Sequence, residues 1–149
     1  MKRRINIFDK IGTLIPGYSG YQEREGRREC DRKLREQIAD RLSLIEKKIV
    51  SKIDSAELSE LAEIEKNRKK TNNLKDLIKY SPYGASAFFS DSVIDETELE
   101  TIYQMDLDVL NNVENIESNL DVNNFSDLNG SIQETEDSIN KRNQYLKDR

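Results

Sequence analysis

The sequence predicts an all-α protein: an elongated up-and-down helical bundle, or coiled-coil hairpins, of three to four long helices plus a short N-terminal amphipathic helix. Three observations support this prediction. Apolar residues recur every three, four or seven positions over long stretches, which is helical spacing. No stretch has the period-two alternation of a half-buried β-strand. Only two prolines, Pro16 and Pro82, occur among 149 residues, so long helices are not interrupted.

The composition indicates narrow apolar stripes. Hydrophobic residues make up 35% of the chain and charged residues 36%, whereas charged residues are about 25% of an average globular domain. Because the length suits one domain, we treat residues 1–149 as a single helical domain. It divides into a leader and turn (1–18), basic-to-neutral long helices (19–80), an aromatic loop (81–94) and an acidic helical hairpin (95–149).

The leader contains a short amphipathic helix, predicted over Asn6–Ile15 and ended by Pro16-Gly17. Its candidate membrane-binding or partner-binding face consists of Ile7, Phe8, Ile11, Leu14 and Ile15. Because Lys2, Arg3 and Arg4 precede this face, one interpretation is an anchor at an anionic membrane surface. The other interpretation, which we favour, is that the helix folds back and caps one end of the bundle.

The segment 19–80 is predicted to contain two long helices. Ser19 and Gln22 resemble a capping box, so we expect the first helix to run from about Tyr21 to Ser51. Its apolar stripe is Leu34, Ile38, Leu42, Ile45 and Ile49. A break at Asp54-Ser55 precedes a weaker stripe that ends before Ser81.

The aromatic loop contains Ser-Pro-Tyr-Gly at 81–84, which is a turn sequence because proline fixes φ at the second position. Tyr83, Phe88 and Phe89 are the candidate aromatic patch. If exposed, these rings would form a partner surface. We favour the alternative, that they plug the end of the bundle.

The acidic hairpin is predicted from two seven-residue repeats. We expect helices over about 95–120 and 125–147, with apolar repeats at Ile102, Val109 and Ile116, and at Phe125, Ile132, Ile139 and Leu146. Asp106 lies beside the first of these stripes. A polar residue on a helix seam more often fixes the register of the packed helices than takes part in catalysis.

Charge is distributed unevenly along the chain. Residues 1–52 contain 14 Lys/Arg and 8 Asp/Glu, whereas residues 81–149 contain 4 and 15. Either the basic front lies beside the acidic back within the bundle, or it binds an acidic partner such as anionic lipid, nucleic acid or another protein. We favour the internal interpretation, in which arginines between Arg28 and Arg41 face acids such as Asp108, Glu114 or Glu117.

The start of the first long helix is charge-dense and lacks an apolar face, so side-chain pairs or a ligand must hold it. Paired charges on a solvated helix are the interpretation we favour. The candidate anion or partner contacts are Arg24, Arg27, Arg28 and Arg32, because guanidinium forks match carboxylate and phosphate. Nucleic-acid binding is disfavoured, since acids interrupt the basic segment and the acidic back would repel a polyanion.

The residue inventory excludes common chemistries. The chain has no histidine and one cysteine, Cys30, so Ser-His-Asp and Cys-His arrangements and the usual zinc sites are absent. Six glycines form no phosphate-binding loop. We therefore expect no catalytic residue, cofactor, metal or small-molecule substrate.

The expected function is that of a non-catalytic helical interaction or scaffolding protein, acting through protein–protein contacts that include self-association. The alternative is a peripheral membrane-surface protein that uses the N-terminal basic amphipathic helix. The lone cysteine fits a reducing compartment, no secretory signal is visible, and uncharged stretches are shorter than a membrane span. We expect a cytoplasmic protein, with a membrane-peripheral location as the alternative.

Overall fold

The computed structural model describes residues 2–81, 83–84, 86–89 and 93–149, with side chains from residue 7 onward. This part of the chain is all-helical, with 80% helix and no strand, which confirms the predicted class. The helices are α1 (Lys2–Leu14), α2 (Arg27–Ser51), α3 (Leu58–Lys79), α4 (Glu96–Asp121) and α5 (Phe125–Lys147). Single-turn 3-10 helices span Arg24–Gly26 and Ala87–Phe89. Pro82, in the predicted turn, lies outside the described residues, as do the side chains of Lys2, Arg3 and Arg4.

Side-chain caps begin the two C-terminal helices close to their predicted positions. The Asp95 carboxylate accepts a hydrogen bond from the Glu98 backbone N–H at 2.8 Å, and Asn124 Oδ1 accepts one from the Asp127 N–H at 3.1 Å. These bonds satisfy amides that have no partner within the helix. The predicted bounds of α4 and α5 therefore agree with the observed bounds to within one residue.

The start of α2 differs from the prediction. The chain from Tyr21 to Glu23 bends, and α2 begins at Arg27 with Gly26 as N-cap and no side-chain cap. The predicted capping box of Ser19 and Gln22 is therefore wrong. The physical reason is the burial of Tyr21, which is 0% exposed and whose backbone N–H donates to Tyr103 Oη at 3.1 Å. This contact draws the segment into the core.

The break after α2 is confirmed. Turns follow Ser51, and α3 begins at Leu58 with a capping box formed by Glu57 and Glu60. The short connection makes α2 and α3 antiparallel neighbours, and Glu46 of α2 accepts from Lys75 of α3 at 3.3 Å.

The four long helices form two antiparallel hairpins, α2–α3 and α4–α5, that pack against each other. The main contacts between hairpins are α2 with α4 and α3 with α5. Arg41 and Lys48 of α2 pair with Glu117 and Asp121 of α4 in the same order along both helices, so α2 and α4 run parallel. The connection from α3 to α4 consequently joins opposite corners of the bundle.

One end of the bundle, which we call the capped end, is covered by three segments: α1, the turn at 15–23 and residues 83–84 and 86–89 of the connection between α3 and α4. Helix α1 packs on α4, where the Phe8 ring meets the Tyr103 ring edge-on with centroids 5.4 Å apart. The core beneath consists of apolar stripes from all four long helices. No helix in the described chain is long and apolar enough to cross a membrane.

Candidate functional site: a buried polar cluster beneath the capped end

Three charged side chains from three helices meet in the core. Asp31 of α2, Asp106 of α4 and Arg142 of α5 are 2%, 0% and 0% exposed. Arg142 Nε donates to Asp106 Oδ1 at 2.5 Å, and Arg142 Nη2 donates to Asp31 Oδ1 at 2.7 Å. Burying a charge is costly unless it is paired and hydrogen-bonded. These three charges meet that condition together.

Three tyrosines from the capped end bind the two carboxylates. Tyr18 and Tyr21 both donate to Asp106 Oδ2 at 2.6 Å, and Tyr83 donates to Asp31 Oδ1 at 2.8 Å. We call the resulting group the Arg142 cluster, consisting of Tyr18, Tyr21, Asp31, Tyr83, Asp106 and Arg142. Its members come from three helices and both connecting segments at this end.

The phenol oxygens also accept hydrogen bonds from the guanidinium. Arg142 Nη1 donates to Tyr83 Oη at 2.8 Å, and Nη2 donates to Tyr21 Oη at 3.1 Å. Each of these tyrosines therefore donates to a carboxylate and accepts from the arginine. A polar network that is fully satisfied rigidifies and specifies a core.

Burial and neighbouring charges shift the pKa values of the cluster, upward for the tyrosines and Asp106 and downward for Asp31. Burial raises the pKa of Tyr18 and Tyr21 well above the ordinary phenol value, and the Asp106 carboxylate adds to the effect. Burial also raises the pKa of Asp106, while Arg142 and the phenol donors oppose that shift. At Asp31 burial is outweighed by the guanidiniums of Arg142 and Arg35, which hold its pKa below the usual value. The phenols accordingly stay protonated as donors.

The arrangement is suited to holding the fold together. A side chain that transfers a proton to a substrate, or attacks one, must be able to contact that substrate. Every member of the cluster is at most 6% exposed. One guanidinium joins α2, α4 and α5, and the tyrosines attach the capped end to them. We therefore interpret the cluster as a structural centre that fixes the register of the helices, which is the role expected for Asp106.

The leader residues lie mostly against the bundle. Ile11 and Ile15 are 0% and 1% exposed, and Phe8 and Ile7 pack partly buried on the core. Leu14 is 38% exposed. These positions favour the cap interpretation of α1.

The aromatic patch is buried. Tyr83, Phe88 and Phe89 are 3%, 1% and 6% exposed, and the Phe88 ring lies 5.5 Å from the Tyr21 ring. The rings thus plug the capped end, as favoured from the sequence. Tyr80, by contrast, is exposed.

Three of the four candidate arginines bind groups in their own chain. Arg27 is buried and donates to the carbonyls of Tyr21 at 2.8 Å and Phe88 at 3.0 Å. Arg28 donates to the Gly84 carbonyl at 2.8 Å. Arg32 pairs with Glu29 and Glu36 on the surface of α2. Arg24 is exposed in the 3-10 turn.

The basic front and acidic back meet at the α2–α4 contact. Arg41 pairs with Glu117, one of the acids named from the sequence, and Lys48 lies 3.8 Å from Asp121. Glu114 is exposed, and Asp108 accepts from Gln104 at 2.8 Å. Part of the acidic charge is therefore matched internally, and part faces outward.

Asp31 and Arg142 were not identified as site residues from the sequence, although a signal was present. Arg142 lies three residues after Ile139 and four before Leu146, and Asp31 lies three before Leu34. Both therefore occupy buried stripe positions. Acidic residues at stripe positions of two helices, with a basic residue at a stripe position of a third, are the pattern that indicates such a cluster.

The described residues contain no group of three or more His, Cys, Asp or Glu side chains placed to hold a metal ion. Comparisons with protein-family models, with curated proteins and with solved structures find no match to this chain.

Proposed function

We propose that this chain is a non-catalytic helical interaction protein, and that it binds a basic protein surface along the outer side of α4 and α5. Self-association is one form such a contact can take. The observation that supports the proposal is the charge of this helix pair. Helix α4 carries eight Asp/Glu and no Lys/Arg, and α4 and α5 together carry 12 acids and 3 bases.

The outer seam between α4 and α5 is a polar groove. Its lining is formed by amide, hydroxyl and acidic side chains that include Asp108, Asn115, Asn119, Asp127, Glu134 and Asp137. Some of the amides are oriented across the seam, since Asn119 donates to Ser131 Oγ at 3.3 Å. Lys141 is the one basic side chain in this lining. Four of the five charged side chains in the lining are therefore acidic. A cleft in which one sign of charge predominates concentrates its field and raises association rates with partners of opposite charge.

The opposite side of the bundle has the opposite balance. Helices α2 and α3 together carry 14 Lys/Arg and 9 Asp/Glu. A second copy of the chain is consequently one source of a basic surface. We also propose that α4 and α5 are a coiled-coil hairpin, because Val109 and Ile116 repeat at the spacing of Ile132 and Ile139.

A site-specific photocrosslinking experiment tests this function. A crosslinking amino acid replaces Asn115 in the groove or, as the control, Lys66 on the exposed face of α3; both positions are exposed. We expect protein adducts from position 115 that decrease with added salt. Position 66 should give few adducts when the partner is a different protein, and salt-sensitive adducts when it is a second copy, because Lys66 lies on the basic α2–α3 side. The charge reversals Glu134→Lys and Asp137→Lys should remove the adducts at 115.

The mass of the adduct distinguishes the partners. An adduct of twice the chain mass identifies a second copy, and any other mass identifies a different protein. Adducts at position 115 whose yield is unaffected by salt and by charge reversal would contradict the proposal.

A further inference from the structure

The middle of α3 contains a buried amide without a partner. Asn67 is 0% exposed, and neither its Nδ2 nor its Oδ1 has a hydrogen-bond partner among the described residues. Buried polar side chains in native proteins are nearly always hydrogen-bonded, and one that is not destabilises the closed state by the desolvation of its amide. The position is thus unfavourable for the packing of this helix.

The buried face of α3 is also poor in apolar side chains. Its buried apolar residues are Ile64, Leu74 and Ile78. Between Ile64 and Leu74 the buried positions are Asn67 and Thr71. The Thr71 hydroxyl donates to the backbone carbonyl of Asn67 at 2.8 Å, so the Asn67 side chain is not its partner. The centre of the helix therefore contributes little hydrophobic stabilisation where it faces α2 and α5.

Helix α3 has no side chain in the Arg142 cluster, which joins α2, α4 and α5. The polar contacts of α3 lie nearer the surface. Arg68 and Lys75 both reach Glu46 of α2, at 3.4 and 3.3 Å, and Lys70 reaches Asn129 of α5 at 2.7 Å. Partly exposed pairs of this kind contribute little to stability. The main contacts of α3 are with α2 and α5, and none of comparable extent is made with α4.

We propose that α3 opens from α2 and α5 as a separate unit, while the Arg142 cluster keeps α2, α4, α5 and the turn at 15–23 together, and that Asn67 sets how often this happens. Such sub-global opening is drawn from the least stable segment of a fold. Opening exposes the apolar faces of α2 and α5 that α3 covers. This inference is independent of the α4–α5 groove.

Native-state hydrogen exchange on the full chain, resolved by residue, tests the inference. We expect the central amides of α3 to be at least about tenfold less protected than those of α4 and α5. Asn67→Leu, which removes the unpaired amide at similar volume, should raise α3 protection by about five- to 150-fold. Asn67→Ala serves as a second variant in case leucine does not fit.

A substitution on α4 separates local opening from global unfolding. Val109 is 0% exposed, and Val109→Ala should lower protection in α4 and α5 while leaving α3 protection unchanged, because α3 opens without disturbing α4. The inference is overturned if α3 is as protected as α4 in the wild-type chain. It is equally overturned if Val109→Ala lowers α3 protection as much as α4 protection, or if neither Asn67 variant raises it.

Discussion

Arg142 Nε and Asp106 Oδ1 lie 2.5 Å apart in the core, with neither side chain exposed. The two residues are 36 positions apart in sequence and join α5 to α4. Because Asp31 and two tyrosines bind the same guanidinium, this pair is the centre of the contact between the hairpins and the capped end. Removal of Arg142 would leave the Asp106 carboxylate buried without a counter-charge, because Arg142 is the basic residue it pairs with.

Arg142→Met should therefore be strongly destabilising. We expect a loss of about 3–5 kcal/mol in the free energy of unfolding, because the buried Asp106 carboxylate loses its counter-charge. Asp31 loses one of two, since it keeps its 2.9 Å pair with Arg35. Urea denaturation followed by circular dichroism measures the loss. The matched control is Arg32→Met, which removes the two exposed ion pairs with Glu29 and Glu36 on α2 and should cost about 0–1 kcal/mol for each pair. Equal losses in the two variants would show that the cluster does not stabilise the fold.

Gly20 is predicted to tolerate no side chain. Its φ is +86°, and a Cβ would lie 2.5 Å from Tyr103 Oη and 2.6 Å from the Phe8 ring. The left-handed backbone alone costs about 1–2 kcal/mol for alanine, and the contacts add to it. Gly20→Ala should thus lower the melting temperature.

Gly12 provides the control for that substitution. It lies in α1, and a Cβ there meets nothing within 4 Å. Gly12→Ala should stabilise the chain by about 0.5–1 kcal/mol through its helix preference. If Gly20→Ala melts at or above the wild-type temperature, the turn at 15–23 is not packed as described.

Cys30 should report on the closure of the capped end. Its side chain is 0% exposed, and burial raises the pKa of the thiol to about 12. Because the thiolate is the reactive species, a disulfide reagent at about pH 8 should label the folded chain very slowly and the denatured chain rapidly. Gly20→Ala should accelerate labelling, since Gly20 lies beside the thiol. Labelling of the folded chain at the denatured rate would contradict the burial of Cys30.

Two residues of α1 distinguish the cap from a membrane anchor. Ile11 is 0% exposed and Leu14 is 38% exposed. If α1 caps the bundle, Ile11→Ala should cost about 2–5 kcal/mol and Leu14→Ala about 0.5 kcal/mol or less, measured by urea denaturation. Sedimentation with anionic vesicles tests the anchor interpretation, because it measures binding of the chain to a membrane surface. Vesicle binding that depends on both residues, together with unchanged stability, would favour the anchor.

The acidic hairpin could be predicted closely from the sequence because its signals are local. Seven-residue apolar repeats define both helices, and Asp95 and Asn124 stand at their N-terminal caps. The start of α2 could not be predicted in this way. Tyr21 is held by a contact with Tyr103, 82 residues away, and such a long-range contact overrides the local capping pattern.

The residues of the polar cluster, too, could be predicted from the sequence only in part. Asp106 could be identified because it lies beside a regular apolar stripe, and a role in fixing the register is what the sequence predicts for it. Arg142 also occupies a position on a regular stripe, but a single basic residue there does not indicate an ion pair until the acids that face it are known. The unpaired amide of Asn67 likewise depends on what lies opposite it. Long-range pairing, rather than periodicity, is what one sequence leaves undetermined.

The division of the four long helices into two hairpins, joined by the Arg142 cluster, has a consequence for the order of folding. Each hairpin joins neighbours in the chain and can form early, because closing a short connection costs little entropy. The Arg142 cluster, in contrast, gathers residues from Tyr18 to Arg142, so it forms only when the two hairpins dock. We expect docking to limit the folding rate. The contacts of the Arg142 cluster would then form last in folding, although the stability of the folded protein depends on them most.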